Sequence, residues 1–198
     1  MNTPIANLAL FSTGDFNRGA SKAKELFWLL VSLWLFRLCP LKLSGLKAVV
    51  LRFFGASVGH GVVFKPNVKI TFPWKLTLGD HVWLGEECWL LNLAPITIEA
   101  NVCISQRAFL CTGNHNYKSP AFDLITKPIQ VERGAWIAAA AFVGPGVSVG
   151  CHAVLAAGSV ATKDLEPYGI YQGNPAVLIK KRVIEGDGGA VSGGSVFR

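Results

Sequence analysis

His115 carries an imidazole that could take part in acid–base chemistry, within a long insertion. It stands at the start of the polar and aromatic string NHNYKSPAFDLITKP, which covers residues 114–128. An imidazole with an ordinary pKa of about 6.5 can accept the proton of a hydroxyl group near neutral pH, which makes that hydroxyl a better nucleophile. A long insertion that carries such side chains is more often functional than accidental.

The sequence encodes neither a covalent nucleophile nor a disulfide framework. Ser105 has no recognisable base, and Ser159 falls at a corner position of the repeat described below. The cysteines are odd in number and include no CxxC pair: Cys39, Cys88, Cys103, Cys111 and Cys151. We therefore expect a reduced, cytoplasmic setting and predict packing roles for these thiols.

A six-residue repeat surrounds these positions. From Val131 to Glu166 the chain reads VERGAW IAAAAF VGPGVS VGCHAV LAAGSV ATKDLE without interruption. Each hexad begins with an aliphatic residue or Ala, and its fifth residue is mostly small. This period is typical of a triangular coil with three short strands and about 18 residues, in which the first residue of each hexad fills the interior.

The pattern extends backwards and predicts an all-β solenoid, a parallel β-helix of about five coils. The predicted inward residues of the first three coils are Val58, Phe64 and Ile70, then Leu78, Leu84 and Leu90, then Ile98, Ile104 and Leu110. Short outpocketings fall near WKLT and NLAP. The larger gap before Val131 contains residues 114–128, which we expect to form an external loop.

Length and composition indicate one β-helix domain with two flanking segments. Residues 1–54 hold a polar leader and a hydrophobic helix, and residues 55–167 hold the β-helix. Residues 168–198 form a C-terminal segment, in which we predict a short helical stretch followed by a flexible tail rich in Gly and Ser.

The N-terminal helix is predicted from its capping signals. Ser21 can cap a helix that runs through KAKELFWLLVSLWLFRL, and Pro40 would end it. The apolar run of residues 26–38 is shorter than the ~20 residues that span a bilayer. A secretory signal is disfavoured, because the apolar run starts after a polar leader and no small-residue cleavage site follows it.

Two interpretations of this helix, residues 21–40, remain open. It can lie in a membrane interface, with Phe27, Trp28, Trp34 and Phe36 inserted and with basic side chains on anionic headgroups, namely Lys22, Lys24, Arg37, Lys42, Lys47 and Arg52. Alternatively, it packs against a neighbouring subunit or covers the open strand edges at the end of the solenoid. The net charge of +7 is compatible with both.

Several strings together resemble the left-handed β-helix acyltransferases, and most closely the branch similar to colanic acid acetyltransferases, which decorates extracellular polysaccharides. They are the hexads, the His115 string, GAWIAAAAFVGPGVSVG, TKD at Thr162 to Asp164, and GNPA at Gly173 to Ala176. The resemblance covers residues 16–184. It implies left-handed crossovers, acetyl transfer from acetyl-CoA to a sugar hydroxyl, and a homotrimer with its active sites between subunits. His115 matches the catalytic histidine of that family, and because no covalent nucleophile is encoded we predict direct transfer with His115 as general base.

The resemblance also implies the binding residues. Ala139 and Ala157 match backbone positions along the pantetheine arm of acetyl-CoA, Thr162 and Lys163 match residues near the adenine and its phosphate, and Lys180 matches a basic residue in the C-terminal segment. The acceptor candidates are Asn92, Glu87, Tyr117, Asp123 and Trp136, with Asn92 preferred. Gly85 stands where relatives that act on galactosides have Asn, which disfavours a simple galactoside.

Other functions are less compatible with the sequence. A zinc hydrolase of the γ-carbonic anhydrase type needs two histidines five residues apart, but residues 110 and 120 are Leu and Pro, so no metal is expected. Nucleic-acid binding is not predicted, because the basic residues are scattered. An acetyltransferase of a free sugar or an antibiotic and a non-catalytic trimeric scaffold remain alternatives. The hydrophobic helix favours a lipid-linked glycan at the inner face of the membrane.

Overall fold

Short parallel strands form the three faces of a triangular prism. The computed structural model describes residues 5–38 and 43–185, and the side chains of residues 37 and 38 also lie outside the description. Face A contains β1 (Ser57–Val58), β4 (Leu76–Leu78), β7 (Ile96–Ile98), β12 (Ile129–Val131) and β15 (Ser148–Val149). Face B contains β2 (Val63–Phe64), β5 (Trp83–Leu84), β8 (Cys103–Ile104), β13 (Trp136–Ile137), β16 (Val154–Leu155), β18 (Gly169–Gln172) and β19 (Val177–Lys181). Face C contains β3 (Lys69–Ile70), β6 (Trp89–Leu91), β9 (Phe109–Cys111), β14 (Phe142–Val143) and β17 (Val160–Ala161).

The predicted coils and their register are confirmed. Coils 1 to 5 begin at Val58, Leu78, Ile98, Val131 and Val149, and each of these residues pairs with the next in parallel register on face A. The predicted inward residues of faces B and C pair in the same way. None of them is more than 8% exposed, so the first position of every hexad lies in the core.

The corners of the prism need an unusual backbone conformation. The fourth residue of most hexads has a positive φ, as at His81 (57°), Ala140 (54°) and Gly134 (69°). At Gly134 the requirement for glycine is twofold, because an added Cβ would also lie 2.3 Å from the ring of His152 in the next coil. The fifth residues, just after the turn, are buried, which explains why small side chains recur there.

Two helices lie at the open end of coil 1. Helix α1 (Lys22–Ser32) begins as predicted at Ser21, whose Oγ accepts a hydrogen bond from the Lys24 N–H at 3.3 Å, and it continues as a π-helix over Leu33–Leu38. Helix α2 (Ser44–Phe53) was not predicted as a separate element. Cys39, Lys42 and the predicted helix end at Pro40 lie outside the described residues.

Each first-coil strand edge makes a hydrogen bond with a side chain of these helices. On face C, Trp28 Nε1 donates to the Ile70 carbonyl at 3.1 Å. On face B, the Phe64 N–H donates to Ser44 Oγ at 3.0 Å. On face A, Arg52 Nη2 donates to the Val58 carbonyl at 2.7 Å. The helices therefore cap the open end of the solenoid, which was one of the two predicted roles.

The cap corrects several predicted membrane contacts. Trp28 and Phe36 are 4% and 2% exposed and pack in the protein core, so neither can enter a bilayer. Lys47 is 1% exposed, with its Nζ 5.5 Å from the centre of the Phe36 ring, and does not reach headgroups. The outer side of α1 is different, since Phe27 and Trp34 are 53% and 64% exposed. Across residues 5–38 and 43–185, the helices are too short or too polar to cross a membrane.

The insertion and the C-terminus both contain antiparallel hairpins. The external insertion begins with β10 (Gly113–His115) and β11 (Leu124–Thr126), at the corner between faces C and A. A short 3₁₀ helix, Pro73–Lys75, forms the first outpocketing.

In the C-terminal segment the prediction of a short helix is wrong for residues 168–185, where β18 pairs with β16 and turns back into β19. The solenoid continues there because Tyr171, 7% exposed, fills the interior of a sixth, incomplete coil. The predicted flexible tail falls on residues 186–198, outside the described residues.

Candidate active site

His115 lies at the end of β10 with one ring nitrogen fixed. Its Nδ1 is 3.0 Å from the carbonyl oxygen of Phe122, and the two rings stack with their centroids 4.4 Å apart and 8° between their planes. A carbonyl oxygen only accepts hydrogen bonds, so Nδ1 carries the proton in the neutral ring. Nε2 then keeps its lone pair, which is the arrangement that a general base requires.

The N-terminal leader covers part of the same site. Phe11, which follows the 3₁₀ helix Leu8–Leu10, places its ring centroid 5.8 Å from that of His115. The Asn7 N–H donates to the Pro120 carbonyl at 2.8 Å, and the Leu124 N–H donates to the Ser12 carbonyl at 3.2 Å. Sequence reasoning missed this contact, and its only sequence signal is the apolar cluster of residues 8–11 within an otherwise polar leader.

Two predicted acceptor residues lie in the hairpin loop beside His115. The Tyr117 N–H donates to the His115 carbonyl at 3.0 Å, and its side chain is 78% exposed. The Asp123 carbonyl accepts a hydrogen bond from the Asn116 N–H at 2.8 Å, and Asp123 is half-buried. Both residues therefore lie in the loop that follows His115, and their roles toward an acceptor remain predictions.

A column of residues on the outer surface of face B contains two more of the predicted site residues, Lys180 and Trp136. Strand register places Lys180 beside Ile170, then Val154, Trp136, Cys103 and Trp83. In-register parallel strands direct such side chains to one side of the sheet. Trp136 is 44% exposed and donates from Nε1 to Ser105 Oγ at 2.8 Å, so it links coil 4 to coil 3.

Ala139 and Ala157 stack at the corner that follows face B, in coils 4 and 5. The Ala139 carbonyl accepts a hydrogen bond from the Gly158 N–H at 2.8 Å. Within the described part of the chain, no backbone carbonyl accepts the N–H of Ala139 or of Ala157. These two N–H groups are thus suited to bind carbonyl oxygens of an extended ligand, and the small side chains allow close approach.

A cavity of about 430 Å³ opens on the same face, in coils 2 and 3. Its lining includes Trp83, Gly85, Glu86, Ser105 and Gln106. Trp136 donates a hydrogen bond to Ser105, so its side chain lies at the edge of this face B cavity. The cavity was not predicted, because its polar groups come from two coils that the chain visits about 20 residues apart.

Thr162 and Lys163 lie on a different edge of the prism. They follow β17 at the corner between faces C and A, above the insertion that holds His115. Leu110, Val143 and Ala161 pair in successive coils. Thr162 therefore lies two strand spacings, about 10 Å, further along the prism axis than the start of the insertion. A single chain therefore holds His115, Thr162 and Lys163 on one edge, Ala139 and Ala157 on the corner that follows face B, and Lys180 on face B itself.

The preferred acceptor residue, Asn92, has a structural role instead. Its side chain is fully buried, its Oδ1 accepts hydrogen bonds from the N–H groups of Thr71 and Phe72, and its Nδ2 donates to the Phe72 carbonyl. The side-chain amide is thus hydrogen-bonded through both its oxygen and its nitrogen, and it holds the first outpocketing to the second. The prediction that Asn92 contacts an acceptor is wrong, because no ligand can reach it.

Glu87 and Cys88 follow the face B cavity along the chain. The Glu87 carboxylate accepts a hydrogen bond from Arg107 Nε at 2.8 Å, and this bond raises the pKa of the arginine. Glu87 stays a predicted acceptor contact. Burial raises the pKa of the Cys88 thiol to about 12, so this cysteine packs as a neutral side chain. In the described ranges, no three His, Cys, Asp or Glu side chains come together as a metal site.

Comparison with known proteins gives a sequence match over most of the chain. The chain is 42% identical over 179 residues to the protein named "Putative colanic acid biosynthesis acetyltransferase WcaF" in Escherichia coli (strain K12), which covers 90% of this chain and 98% of that protein. No family model matches the chain.

Solved structures show the same fold. A maltose O-acetyltransferase from Clostridium difficile 630 superposes with a TM-score of 0.75 at 24% identity, covering 82% of this chain and 88% of that one. A hexapeptide-repeat acetyltransferase from Vibrio cholerae, solved with acetyl coenzyme A, also gives 0.75 at 24% identity, covering 88% and 97%. These neighbours are left-handed β-helices, so the predicted handedness is confirmed.

Proposed function

The chain belongs to the colanic acid biosynthesis branch of the hexapeptide-repeat acetyltransferases, and we propose that it moves an acetyl group from acetyl-CoA to a sugar hydroxyl of an extracellular polysaccharide precursor. The observation that carries this proposal is the 42% identity over nearly the full length of an acetyltransferase. The fixed tautomer of His115 supports it, because that chemistry needs one base beside a hydroxyl.

The proposed reaction is a direct transfer. Nε2 of His115 takes the proton of the acceptor hydroxyl while its oxygen attacks the thioester carbonyl. The new C–O bond forms as the C–S bond breaks, and the imidazolium returns its proton to the departing thiolate of coenzyme A. The Phe122 carbonyl, 3.0 Å from Nδ1, stabilises the positive ring through its dipole. No covalent acyl-enzyme is part of this mechanism.

The donor is proposed to lie along the corner after face B. The N–H groups of Ala139 and Ala157 would bind amide carbonyls of the pantetheine arm, in coils 4 and 5. Lys180 on face B is exposed, as are Lys163 and Thr162 on the edge between faces C and A, and all three are suited to the phosphates. In this proposed arrangement the thioester would lie near coil 3, between these alanines and the face B cavity.

Two copies of the chain are needed to complete such a site. The base lies on the edge between faces C and A, whereas the face B cavity and the alanine N–H groups lie on and beside face B. We propose a homotrimer in which the insertion of one copy projects toward face B of the next. Each of the three interfaces would then contain one complete site.

The acceptor sugar is proposed to enter the face B cavity. Glu86, Ser105 and Gln106 there offer hydrogen-bonding groups to sugar hydroxyls, while Trp83 offers a flat apolar surface. Tyr117 and Asp123 of the neighbouring copy would close it. This arrangement gives Glu86 and Gln106 the role that the sequence assigned to Asn92.

We also propose that the enzyme works on a lipid-linked glycan at the inner membrane surface. The outer side of α1 is apolar and open to solvent, with Leu26, Leu30 and Leu33 at 59%, 58% and 41% exposure. The first 54 residues contain seven basic and two acidic residues, so they hold a net charge of +5 out of +7. An apolar helix face beside excess positive charge is suited to an anionic bilayer.

An acceptor screen tests the proposed function. Labelled acetyl-CoA would be offered with nucleotide sugars, free sugars and lipid-linked glycans, with thermal unfolding in the presence of coenzyme A as a separate measurement. We expect label transfer to a sugar and a rise in Tm with coenzyme A. If millimolar coenzyme A left Tm unchanged and no acceptor took label, the scaffold hypothesis would replace the enzyme.

A further inference from the structure

A second cavity, the α1 cavity, lies between helix α1 and face C. Its volume is about 560 Å³, and its walls are mainly apolar and aromatic: Leu26, Leu29, Phe36, Phe72, Trp74 and Trp89. This volume is within the range of about 300–1,000 Å³ typical of small-molecule sites. It lies at coils 1 and 2, on a different face from the face B cavity, and the proposed acetyl transfer does not use it.

Positive charge surrounds the mouth of this cavity. Arg18, Lys22 and Lys69 line it, together with the single carboxylate of Glu25. Arg18 already binds Glu25 through its Nη2 at 2.7 Å, and that hydrogen bond lowers the pKa of the carboxyl. Lys22 and Lys69 therefore exceed the acidic groups, so the mouth is complementary to an anion.

The apolar wall is continuous with the open side of α1. Leu29 lines the cavity and is nevertheless 61% exposed, and Leu26 also belongs to both surfaces. A hydrocarbon chain could therefore pass from the outer side of α1 into the cavity without crossing a polar strip. A second copy of this end of the molecule is a poor occupant, because it would bring a segment of net charge +5 against an identical one.

We infer that the α1 cavity binds an acyclic hydrocarbon chain that ends in a phosphate group. The chain lies between Leu29 and the aromatic wall of Phe72 and Trp89, and the phosphate oxygens accept hydrogen bonds from Lys22 and Lys69. The inference rests on the proposed function in one respect: that function implies a lipid-linked acceptor, which contains such a hydrocarbon chain and phosphate. Binding itself requires neither coenzyme A nor acetyl transfer.

The test uses farnesyl phosphate with the full chain in solution, without a bilayer. Trp28, Trp74 and Trp89 line the cavity, so tryptophan fluorescence reports its occupancy directly. We expect a saturable change with farnesyl phosphate, weaker binding of farnesol, and no change with inorganic phosphate. Replacing both lysines, Lys22→Gln with Lys69→Gln, is expected to reduce the affinity for farnesyl phosphate to that for farnesol.

Neighbouring leucines provide a matched pair of variants. Leu29 and Leu30 are 61% and 58% exposed on the same helix, but only Leu29 lines the cavity. Leu29→Glu is expected to weaken farnesyl phosphate binding at least about 10-fold, because it places a charge in the apolar wall beside the phosphate. Leu30→Glu is expected to bind like the parent. The rise in Tm with coenzyme A checks that both variants are folded.

Several results would overturn the inference. Equal loss in the two glutamate variants would mean adsorption to the outer side of α1, and equal binding of inorganic phosphate would mean a simple anion site. If the parent protein bound no farnesyl phosphate, and Leu29→Glu formed a smaller oligomer than the parent, the occupant of the cavity would be another copy of the chain. Failure here with intact acetyl transfer to a water-soluble sugar would leave the proposed function standing.

Discussion

The imidazole of His115 is fixed twice by one residue, Phe122. The side chain of Phe122 stacks on the ring at a centroid distance of 4.4 Å, and its backbone carbonyl holds Nδ1 at 3.0 Å. The stack sets the plane of the ring, and the hydrogen bond sets which nitrogen is free. Strands β10 and β11 pair at the base of the loop that contains Phe122, so the hairpin holds both contacts in place.

The first prediction concerns His115 as the proposed general base. His115→Ala is expected to lower kcat by at least about 100-fold, the usual contribution of a general base. Coenzyme A should still raise the Tm of the variant, since none of the proposed donor contacts involves the imidazole. Steady-state kinetics and thermal unfolding measure the two effects. Turnover within a few-fold of the parent would remove His115 from the mechanism.

The second prediction concerns the leader. Phe11→Ala is expected to lower kcat about 2- to 10-fold, because an aromatic pair is worth about 0.5–1.5 kcal/mol and holds the His115 ring in place. Leu10→Ala is the control, since Leu10 lies in the same 3₁₀ helix and is 59% exposed. An equal loss in the two variants would point to a general effect of the leader and not to the ring contact.

The third prediction tests whether sites are shared between copies. His115→Ala removes the base from one edge, and Ala157→Trp blocks the donor corner on the other, so each variant alone should be inactive. After the two variants are refolded together in equal amounts, about a quarter of the interfaces should contain both an intact His115 and an intact Ala157. Activity near that level is expected. A mixture as inactive as its parts would contradict a site between subunits.

The fourth prediction separates the two sides of the N-terminal helix. Trp28→Ala is expected to lower the free energy of unfolding by about 3–5 kcal/mol, because it removes a buried aromatic side chain and the hydrogen bond to Ile70. Trp34→Ala, at a position that is 64% exposed, should change it by less than about 0.5 kcal/mol. Urea denaturation measures both variants, and similar losses would contradict the capping role.

For Trp34 we expect an effect on membranes instead. Binding to vesicles that contain anionic lipid should weaken in Trp34→Ala and should fall with added salt, because the proposed contact combines apolar insertion with charge attraction. Sedimentation with vesicles of neutral lipid provides the comparison. Vesicle binding that is the same in the parent and in Trp34→Ala would argue against this side of α1 as the membrane contact.

The fifth prediction concerns pH. The hydrogen bond from Arg18 holds the pKa of Glu25 below its ordinary value of 4.5. The pair therefore stabilises the fold above that value, and this stabilisation is lost as the pH falls through the lowered pKa. Glu25→Gln should have a lower Tm than the parent at pH 7, and the difference should vanish at strongly acid pH. A difference that persists there would assign the effect to packing.

The solenoid itself could be predicted from the sequence because its rule is local. One aliphatic residue every six sets both the inward positions and the register, so Val58, Leu78 and Ile98 were correctly paired from spacing alone. Helix α1 was also recognisable, since Ser21 and the apolar run after it are local signals. Helix α2 was not, because the chain gives no distinct cap before it: Leu43 makes no capping hydrogen bond.

The site was harder to predict because it depends on contacts between distant segments. Asn92 looked like an exposed polar residue of a turn, and only the fold shows that the backbone of Phe72 uses its amide. The contact of Phe11 with His115 joins residues more than 100 positions apart and has no periodic signal. The C-terminal hairpin was missed because Tyr171 departs from the aliphatic rule that identified the other inward residues.

The three hydrogen bonds that Trp28, Ser44 and Arg52 make with coil 1 limit how far the assembly can grow. A bare first coil would present three unpaired parallel strand edges, to which strands of another molecule could add. Head-to-tail addition would then repeat without closing and would produce a fibre. By occupying these edges from within the same chain, the cap keeps the β-helix a particle of finite length.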